Sequence, residues 1–475
     1  MLDTALREAM AAVPAAIDAG RLEEAMAILS KAMAAAPDHP EVLLRLAEVS
    51  TAVGNLTQAD ELLAAARRHG DARVRAGVRL CHANLLHLRG RPREAERAYQ
   101  EALSQRDRLD PIGQARTLYG LAALHLAARR FAQALPLLDQ ALGLNPHSTR
   151  ILRALATACE GNRMPEATVQ ACRAWQQLAP QDPDLYILLG NALSALNLPG
   201  PAEDSLRMAI RLKPDVPVVA YTNLGLLLLY AGKPTEALEM FERALERDPA
   251  NSIAGHMTAA IRGGDAPDRA SDQYVRATFN TFARSFDEKL ARLQYAAPGL
   301  IADALRAMPA DMDRVLDLGC GTGLCGPLLK PPARHLVGVD LSPGMLDKAR
   351  ERGVYDALHE AEACAYLAGV RGAFDTVVAA DVFVYFGNLS EVIAGCAQAL
   401  APDGVFAFTV EALPEGEEAS FRIAPNGRYG HAVGYVRETI AAAGLLLARL
   451  DGVVLRMESG APVHGHLVVA TRPAG

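Results

Sequence analysis

The stretch VLDLGCGTG, residues 315–323, decides the fold of the second half of the chain. An apolar segment ends at the acid Asp317 and then passes through three glycines at alternate positions, Gly319, Gly321 and Gly323. Glycine has no Cβ and adopts positive φ without cost, so the backbone of such a turn can come into contact with a ligand. The stretch therefore predicts a β-strand that leads into a ligand-binding turn.

The charge of Asp317 distinguishes between two ligands for this turn. Residues 321–326 read GTGLCG, which fits the G-x-G-x-x-G pattern of nicotinamide dinucleotide sites, and Asp340 follows about 20 residues on as a ribose-binding acid. A carboxylate at the strand end repels the pyrophosphate of a dinucleotide, whereas it attracts the ammonium and sulfonium groups of S-adenosylmethionine. The pattern favours S-adenosylmethionine, and a purely structural turn is the remaining alternative.

The composition limits the class of protein. A chain of 475 residues is long enough for two or three domains, and 51% hydrophobic with 22% charged residues is ordinary for a globular protein. The net charge of −7 and the isoelectric point near 6.0 indicate no basic surface for nucleic acid. Seven cysteines, an odd number with no C-x-x-C pair, indicate neither a disulfide framework nor a zinc site. We expect no metal and no nucleic-acid partner.

The sequence also predicts where the protein acts. The N-terminal residues include the charged side chains Asp3, Arg7 and Glu8, unlike the apolar core of a signal peptide. The longest apolar run, residues 224–231, is too short to span a bilayer. Together with the cysteine pattern, these features lead us to expect a cytoplasmic protein with no membrane partner.

The first half of the chain repeats itself. Seven alanines recur at intervals of 34, 36, 39, 33, 35 and 35 residues: Ala25, Ala59, Ala95, Ala134, Ala167, Ala202 and Ala237. A second alanine follows each of them by seven residues, and in most repeats a larger residue, such as Leu29, lies four residues after the first. Small residues two turns apart on one helix face permit close helix packing, and the larger residue fills the gap between them.

This pattern resembles the tetratricopeptide repeat, a helix–turn–helix unit of about 34 residues. The resemblance covers roughly residues 5–262 in about seven repeats and is clearest in the last two, while the first, third and fifth depart from it. It implies an all-α solenoid over residues 1–262, with residues 251–263 as a terminal capping helix. A stacked-repeat surface of this kind implies a protein or peptide partner on its concave face.

The second half alternates strands with helices after a break. The segment 263–270 carries a glycine pair and a proline and is a predicted linker, and residues 271–297 follow as a predicted lid or docking helix. Residues 298–475 predict a parallel sheet with covering helices. The predicted strands are 314–318, 335–340, 357–361, 374–380, 404–410, 447–455 and 465–471. The last two have no helix between them and should form an antiparallel hairpin.

Seven strands, a closing hairpin and the D-x-G-x-G-x-G turn resemble the class I S-adenosylmethionine-dependent methyltransferase fold, a Rossmann-like α/β architecture, over about residues 270–475. The resemblance implies that Asp317 and the turn hold the methionine half of the donor and that Asp340 binds the ribose hydroxyls. Glu362 takes the place of the family's usual aspartate beside the adenine amino group, and a solvated surface glutamate is the alternative. The residues implied to bind the donor are Asp317, Gly319, Cys320, Gly321, Gly323, Asp340, Leu341, Met345, Glu362, Ala363, Asp381 and Tyr274.

A motif ahead of the first strand resembles a lid. Residues 279–287 read FNTFARSFD, similar to the F-D-x-x-A-x-x-Y-D opening of quinone- and biotin-pathway methyltransferases, in which the helix covers the donor. Asn280 and Phe286 replace the usual Asp and Tyr, so the polar contact of the second aromatic residue is lost and Tyr274 is the substitute. An amphipathic helix that docks the solenoid is the alternative.

Methyl transfer needs an aligned acceptor and, for many nucleophiles, a base, but neither a metal nor a covalent intermediate. A loop of the predicted sheet offers three catalytic candidates, Arg428, Tyr429 and His431, of which the histidine is of the residue type best suited to proton transfer near neutral pH. A packed or helix-capping histidine is the alternative.

Three functions compete. The leading hypothesis is a methyltransferase whose solenoid recruits or presents a protein, a peptide or a carrier-bound small molecule; in an alternative version the repeats only mediate assembly. The second is an interaction scaffold in which the S-adenosylmethionine site is regulatory or idle. The third is a donor-binding enzyme of other chemistry, such as hydroxylation, with nicotinamide-dependent oxidoreduction ranked below it. The sequence assigns neither an acceptor nor an oligomeric state.

Overall fold

The chain forms two compact units, Met1–Val216 and Pro217–Gly475. The computed structural model describes residues 9–18, 20–263, 267–282, 286–308, 312–414, 416–458 and 460–474. In its described residues the first unit contains helices and no strand, whereas the second combines helices with a sheet.

The first unit consists of successive helix pairs. Its helices are Val13–Asp18, Leu22–Ala35, Pro40–Ala52, Leu56–His69, Ala72–Leu88, Pro92–Leu103, Pro111–Ala127, Phe131–Leu144, Thr149–Gly161, Pro165–Leu178, Pro183–Ala195 and Pro199–Leu212. Polar residues cap several of them: the side chains of Asn55, Asp71 and Asp110 each accept a hydrogen bond from a backbone N–H of the first turn. These helix starts therefore follow from the local sequence.

The repeated alanines form the contacts between neighbouring helices. Ala202, Leu206 and Ala209 are fully buried on one face of the helix Pro199–Leu212. The Leu206 side chain lies against Gly190 of the preceding helix, where a Cβ atom would be 2.8 Å from Leu206 Cγ. The predicted pairing of small residues around a larger one is confirmed, and with it the all-α tetratricopeptide solenoid.

The second unit contains the last helix pair of the repeat pattern and an α/β domain. Its helices are Val218–Tyr230, Pro234–Arg247, Ser252–Arg262, Asp272–Phe282, Phe286–Arg292, Ala297–Arg306, Gly326–Leu329, Pro343–Arg352, Ala363–Ala368, Ser390–Ala399 and Val433–Ala442. Its strands are β1 (Arg314–Leu318), β2 (His335–Asp340), β3 (Ala357–Glu360), β4 (Phe374–Ala379), β5 (Leu400–Ala412), β6 (Phe421–Ile423), β7 (Tyr429–His431), β8 (Leu446–Glu458) and β9 (Ala461–Thr471).

All of these strands belong to one sheet, with the order β3-β2-β1-β4-β5-β7-β6 and with β9 paired to both β5 and β8. Strands β1 to β5 pair in parallel, and β8 and β9 form the predicted antiparallel hairpin. The predicted Rossmann-like fold is confirmed. The short strands β6 and β7 were not predicted, because three residues carry too little alternation to indicate a strand.

Helices cover both faces of the parallel strands. Leu316 of β1 shares a buried apolar cluster with Ile393, whereas its neighbour Val315 shares another with Ile301. Since the strands are buried on both faces, the polar residues that follow β1, β2 and β4 are concentrated at the carboxyl ends of the strands. This edge of the sheet is where a ligand site is expected.

The last repeat packs directly on the α/β domain. The ring of the buried His256 lies with its centroid 4.3 Å from that of Tyr274 and 6.1 Å from that of Tyr429, and its Nε2 is 3.0 Å from the Gly427 carbonyl oxygen. Burial lowers the pKa of His256, so a neutral imidazole donates this hydrogen bond. Because of these contacts the compact units divide between residues 216 and 217, whereas the repeat pattern predicts a boundary at residue 262.

Two findings concern membrane-spanning helices and disulfide bonds. The described helices include none that is long and apolar enough to cross a bilayer. The seven cysteines are free thiols, six of them buried and Cys364 partly buried, so no disulfide joins them.

We expect the last repeat to stabilise the α/β domain. Removing residues 217–262 in addition to 1–216 would expose the rings of Tyr274 and Tyr429 and leave the Gly427 carbonyl without its His256 partner. A fragment of residues 217–475 should therefore melt about 5 °C or more above a fragment of residues 263–475. Circular dichroism of the two purified fragments measures the difference, and equal melting temperatures would contradict the prediction.

Candidate active site

The carboxyl ends of β1, β2 and β4 open into one cavity. Ten of the twelve residues predicted to bind the donor contribute to its lining: Asp317, Gly319, Cys320, Gly321, Asp340, Leu341, Met345, Glu362, Ala363 and Asp381. The other two, Gly323 and Tyr274, do not. The sheet therefore brings most of the predicted donor residues together although they span 65 positions of the sequence, from 317 to 381.

The glycine turn presents bare backbone to this cavity. Gly319 and Gly321 adopt φ of +67° and +56°, in the left-handed region that favours glycine. A Cβ at Gly319 would lie 2.5 Å from Val382 Cγ2, while nothing lies within 4 Å of the corresponding position at Gly321. The Cys320 N–H donates to the Val339 carbonyl oxygen at 3.0 Å and so ties the turn to the end of β2.

Asp317 is a buried acid at the end of β1. Only 1% of the residue is exposed, and its Oδ2 accepts a hydrogen bond from the Tyr355 hydroxyl at 2.6 Å. Burial raises the pKa of Asp317 to about 7, while the bond from Tyr355 opposes the rise. A bound cation in the cavity would favour the ionised carboxylate.

Asp340 links the end of β2 to the turn. Its Oδ2 accepts from the Gly321 N–H at 2.9 Å, and its Oδ1 accepts from the Ser342 N–H at 2.8 Å. Burial raises the pKa of Asp340, and the backbone donors oppose the rise. Each carboxylate oxygen has a second acceptor position, so the fixed group suits a ligand with two adjacent hydroxyls.

One carboxylate oxygen of Glu362 accepts no hydrogen bond from the described residues. Its Oε2 caps the helix Ala363–Ala368 by accepting from the Ala365 N–H at 2.8 Å. Its Oε1 is buried and has no hydrogen-bond partner among the described residues, with Arg269 Nη1 at 3.9 Å. A buried acceptor in the cavity wall suits an N–H donor of a ligand.

Asp381 follows β4 in a strained conformation. Its φ is +55°, which is uncommon for a residue other than glycine. The backbone N–H donates to Thr409 Oγ1 at 2.9 Å, and Oδ2 accepts from Arg456 Nη1 at 2.7 Å. Burial raises the pKa of Asp381, and Arg456 partly offsets the rise. Thr409 Oγ1 also donates to Oδ1 at 3.3 Å, so Thr409 and Arg456 together fix this carboxyl group in the cavity wall.

Arg456 is the centre of a charge network that the sequence analysis missed. Besides Asp381, it donates to Glu411 through Nη2 and to Glu458 through Nε at 2.8 Å. Arg428 also donates to Glu458, and both arginines line the cavity. A charged residue inside the apolar run of β8 was the signal in the sequence, because an arginine in a strand interior needs buried acids as partners.

Aromatic and aliphatic side chains cover the cavity. The helix Asp272–Phe282 contributes Phe279, whose ring centroid is 5.8 Å from that of Phe286 and 5.3 Å from that of Tyr385, both in edge-on contact. Leu290 of the next helix extends this apolar cover. Of the lid motif, the Asn280 side chain and residues 283–285 lie outside the described part of the chain.

Three predicted residues face away from the cavity. Tyr274 packs on His256, and the Tyr429 hydroxyl donates to a backbone carbonyl of residue 267 at 2.8 Å. His431 is fully buried, with Nε2 2.8 Å from the Phe386 carbonyl oxygen, and burial lowers its pKa to about 4. Neither tyrosine nor the histidine contributes to the cavity lining, so Arg428 is the catalytic candidate that lines the cavity.

The cavity offers acids, one unpaired acceptor and an apolar cover. Among the described residues, no three His, Cys, Asp or Glu side chains come close enough together to hold a metal ion. Buried carboxyl groups under an apolar cover suit an organic ligand that carries positive charge, hydroxyls and an amino donor.

Family models match both parts of the chain. A methyltransferase-domain model matches residues 316–406. Tetratricopeptide-repeat models match residues 16–81, 74–146, 119–183 and 218–251. The matched regions contain the glycine turn and most of the repeated alanines.

Curated relatives share the methyltransferase region. Ubiquinone biosynthesis O-methyltransferase of Aromatoleum aromaticum is 31% identical over 157 residues, 30% of this chain and 67% of the relative. Malonyl-(acyl-carrier protein) O-methyltransferase of Acetivibrio thermocellus is 29% identical over 135 residues, 28% of this chain and 47% of the relative. Methyltransferase-like protein 27 of Homo sapiens is 40% identical over 84 residues, 17% of this chain and 34% of the relative. The chain thus spans less than half the length of the last two. It belongs to the family of S-adenosylmethionine-dependent methyltransferases and carries tetratricopeptide repeats ahead of its methyltransferase domain.

Proposed function

We propose that this protein transfers the methyl group of S-adenosylmethionine to an oxygen atom of an acceptor that the tetratricopeptide solenoid recruits or presents. The observation that carries the proposal is the cavity in which Asp317, Asp340 and Glu362, whose Oε1 accepts no hydrogen bond from the described residues, lie under an aromatic cover. The acceptor is a protein, a peptide or a carrier-bound small molecule. Two relatives are named O-methyltransferases, which supports oxygen as the acceptor atom. The free thiols support action in the cytoplasm.

The residues of the cavity fit the methyl donor. Buried Asp317 suits its ammonium group, the two oxygens of Asp340 suit the ribose hydroxyls, and Glu362 Oε1 suits the adenine amino group. The open space at Gly321 leaves room for the ligand against the backbone. When bound, S-adenosylmethionine supplies an electrophilic methyl group.

The remaining cavity residues would align the acceptor and exclude water. Phe279 and Phe286 cover the site, and a dry site strengthens every electrostatic contact within it. Arg428 would orient the polar group of the acceptor, and Asp381, whose pKa is raised by burial, would accept the proton of an acceptor hydroxyl. Alignment of this kind is the main requirement of an in-line displacement.

A polar cavity in the first unit supports a polypeptide partner. It is lined by the first helices of four consecutive repeats, and its wall contains the buried Glu48 between two arginines. Arg45 Nη1 is 3.0 Å from Glu48 Oε1, and Arg116 Nη1 is 3.4 Å from Glu48 Oε2. Fixed charged groups in a groove between repeats suit the polar backbone and side chains of an extended peptide.

Replacing Asp340 by asparagine should weaken the binding of S-adenosylhomocysteine about tenfold to a hundredfold, because hydrogen bonds to a charged acceptor contribute about 1.5–3 kcal/mol. Isothermal titration calorimetry measures the change. Asp347→Asn is the matched control, since this exposed carboxylate pairs with Arg350 on the surface and should leave the affinity unchanged. An Asp340→Asn protein that binds as tightly as the control would contradict the assignment.

Replacing Asp317 by asparagine should weaken ligand binding and yet raise stability at pH 8. In the folded protein the carboxyl pKa of about 7 exceeds the unfolded value near 3.8, so the native protein loses stability as pH rises through this window. Asparagine does not ionise and avoids that loss. The gain in melting temperature should shrink as pH falls from 8 towards 4, and differential scanning calorimetry across this range tests it. A variant less stable than the natural protein at pH 8 would be the contrary result.

The role of the solenoid is tested with labelled methyl groups. The full chain and the fragment of residues 217–475 are incubated with labelled S-adenosylmethionine and cell extract, and labelled products are identified by mass spectrometry. We expect the fragment to label the acceptor at least about tenfold more slowly, because it lacks the presenting surface. Equal labelling rates for the full chain and the fragment would contradict the proposal that the solenoid presents the acceptor. A full chain that binds S-adenosylhomocysteine and labels nothing would favour the scaffold alternative.

A further inference from the structure

A single hydrogen bond orients the Asp317 side chain. In the described part of the chain, the Tyr355 hydroxyl is the one donor to this carboxyl group, at 2.6 Å from Oδ2. Burial and the neighbouring acid raise the pKa of Tyr355, so the phenol remains protonated and donates. The other oxygen, Oδ1, has no partner among the described residues and belongs to a residue that lines the cavity.

Three glycines make room for the Tyr355 ring. A Cβ at Gly323 or at Gly326 would lie 2.9 Å from Tyr355 Cε2, and a Cβ at Gly338 would lie 3.0 Å from Tyr355 Cδ1. Two of these glycines come from the turn after β1 and the third from the middle of β2. Because a side chain at any of them would displace the ring, the three glycines together define where the hydroxyl lies.

This arrangement accounts for the two glycines that do not line the cavity. Gly323 and Gly326 complete the G-x-G-x-x-G pattern of residues 321–326, but neither contributes to the lining. The Tyr355 ring is the nearest neighbour of a Cβ at Gly323, and at Gly326 it lies just beyond Val354 Cγ2, which would be 2.7 Å away. The second half of this dinucleotide-like pattern thus leaves space for the Tyr355 ring.

We propose that Tyr355 is a positioning residue of the donor site, whose hydroxyl holds the Asp317 carboxylate in the orientation that receives the amino group of S-adenosylmethionine. The inference rests on the proposed function, because it takes the donor's amino group as the ligand of Asp317. Tyr355 does not line the cavity and acts through the acid alone. A role limited to packing would be met equally well by phenylalanine, which has the same ring.

The test uses two ligands that differ in the amino acid part. S-Adenosylhomocysteine carries the ammonium group, whereas 5′-methylthioadenosine has the same nucleoside and thioether without it. For the full-length Tyr355→Phe protein, calorimetry should show about tenfold weaker binding of the first ligand and an unchanged affinity for the second. Tyr366→Phe is the matched control, because Tyr366 lies outside the cavity lining in a tilted contact with His359 and should alter neither affinity.

A second readout is the pH profile of binding. Loss of the hydroxyl removes a contact that favours the ionised acid, so the rise in S-adenosylhomocysteine affinity around pH 7 should move to higher pH in Tyr355→Phe. In an Asp317→Asn background the same substitution should have no effect on the discrimination between the two ligands.

Each result of these titrations either supports or overturns the proposed role of Tyr355. Equal affinities of Tyr355→Phe and the natural protein for S-adenosylhomocysteine would overturn the proposal, and so would an equal loss for both ligands, which indicates general packing. If Tyr355→Phe does not fold, Asp317→Asn and Asp317→Glu are titrated with the same two ligands. If either variant loses no more affinity for S-adenosylhomocysteine than for 5′-methylthioadenosine, the proposal is overturned. Absence of binding to the natural protein would instead reject the proposed donor site.

Discussion

Burial of the Asp317 carboxyl group constrains the rest of the site. A carboxylate that is almost out of water is costly unless a donor or a cation compensates it, and the structure supplies one donor, the Tyr355 hydroxyl. The ring that carries this hydroxyl needs glycines after β1 and in β2. The same loop binds the Asp340 carboxyl group through the Gly321 N–H. Among the described residues Asp317 has this one hydrogen-bond donor, and the proposed cationic methyl donor would be its second partner.

The last repeat and the α/β domain have distinct sequence patterns but pack together in one compact unit. The final repeat region places His256 between Tyr274 of the covering helix and Tyr429 of β7, so it belongs to the same compact unit as the cavity. The helix that carries Tyr274 also carries Phe279, which covers the site. The helix thus contacts both the last repeat and the cavity, which is compatible with either of the two roles predicted for it, lid or docking helix.

Long periodic patterns were predictable, whereas long-range pairings were not. The alanine spacing indicates the solenoid, and the glycine turn with the strand pattern indicates the methyltransferase fold, because both depend on local sequence. The network around Arg456 joins β8 to β5 and to the loop after β4, and Tyr355 reaches Asp317 across 38 positions. His431 looked like a catalytic base because its residue type fits, but its environment, a buried site beside the Phe386 carbonyl, is set by tertiary packing.

The most direct test of the account is the number of protons released when S-adenosylhomocysteine binds. Titration calorimetry of the natural protein in buffers of different ionisation enthalpy measures it. If the buried Asp317, with its pKa of about 7, must ionise to receive the ligand's ammonium group, binding should release about one proton at pH 6 and close to none at pH 8. Release that is the same at both pH values, or no binding at all, would contradict the account.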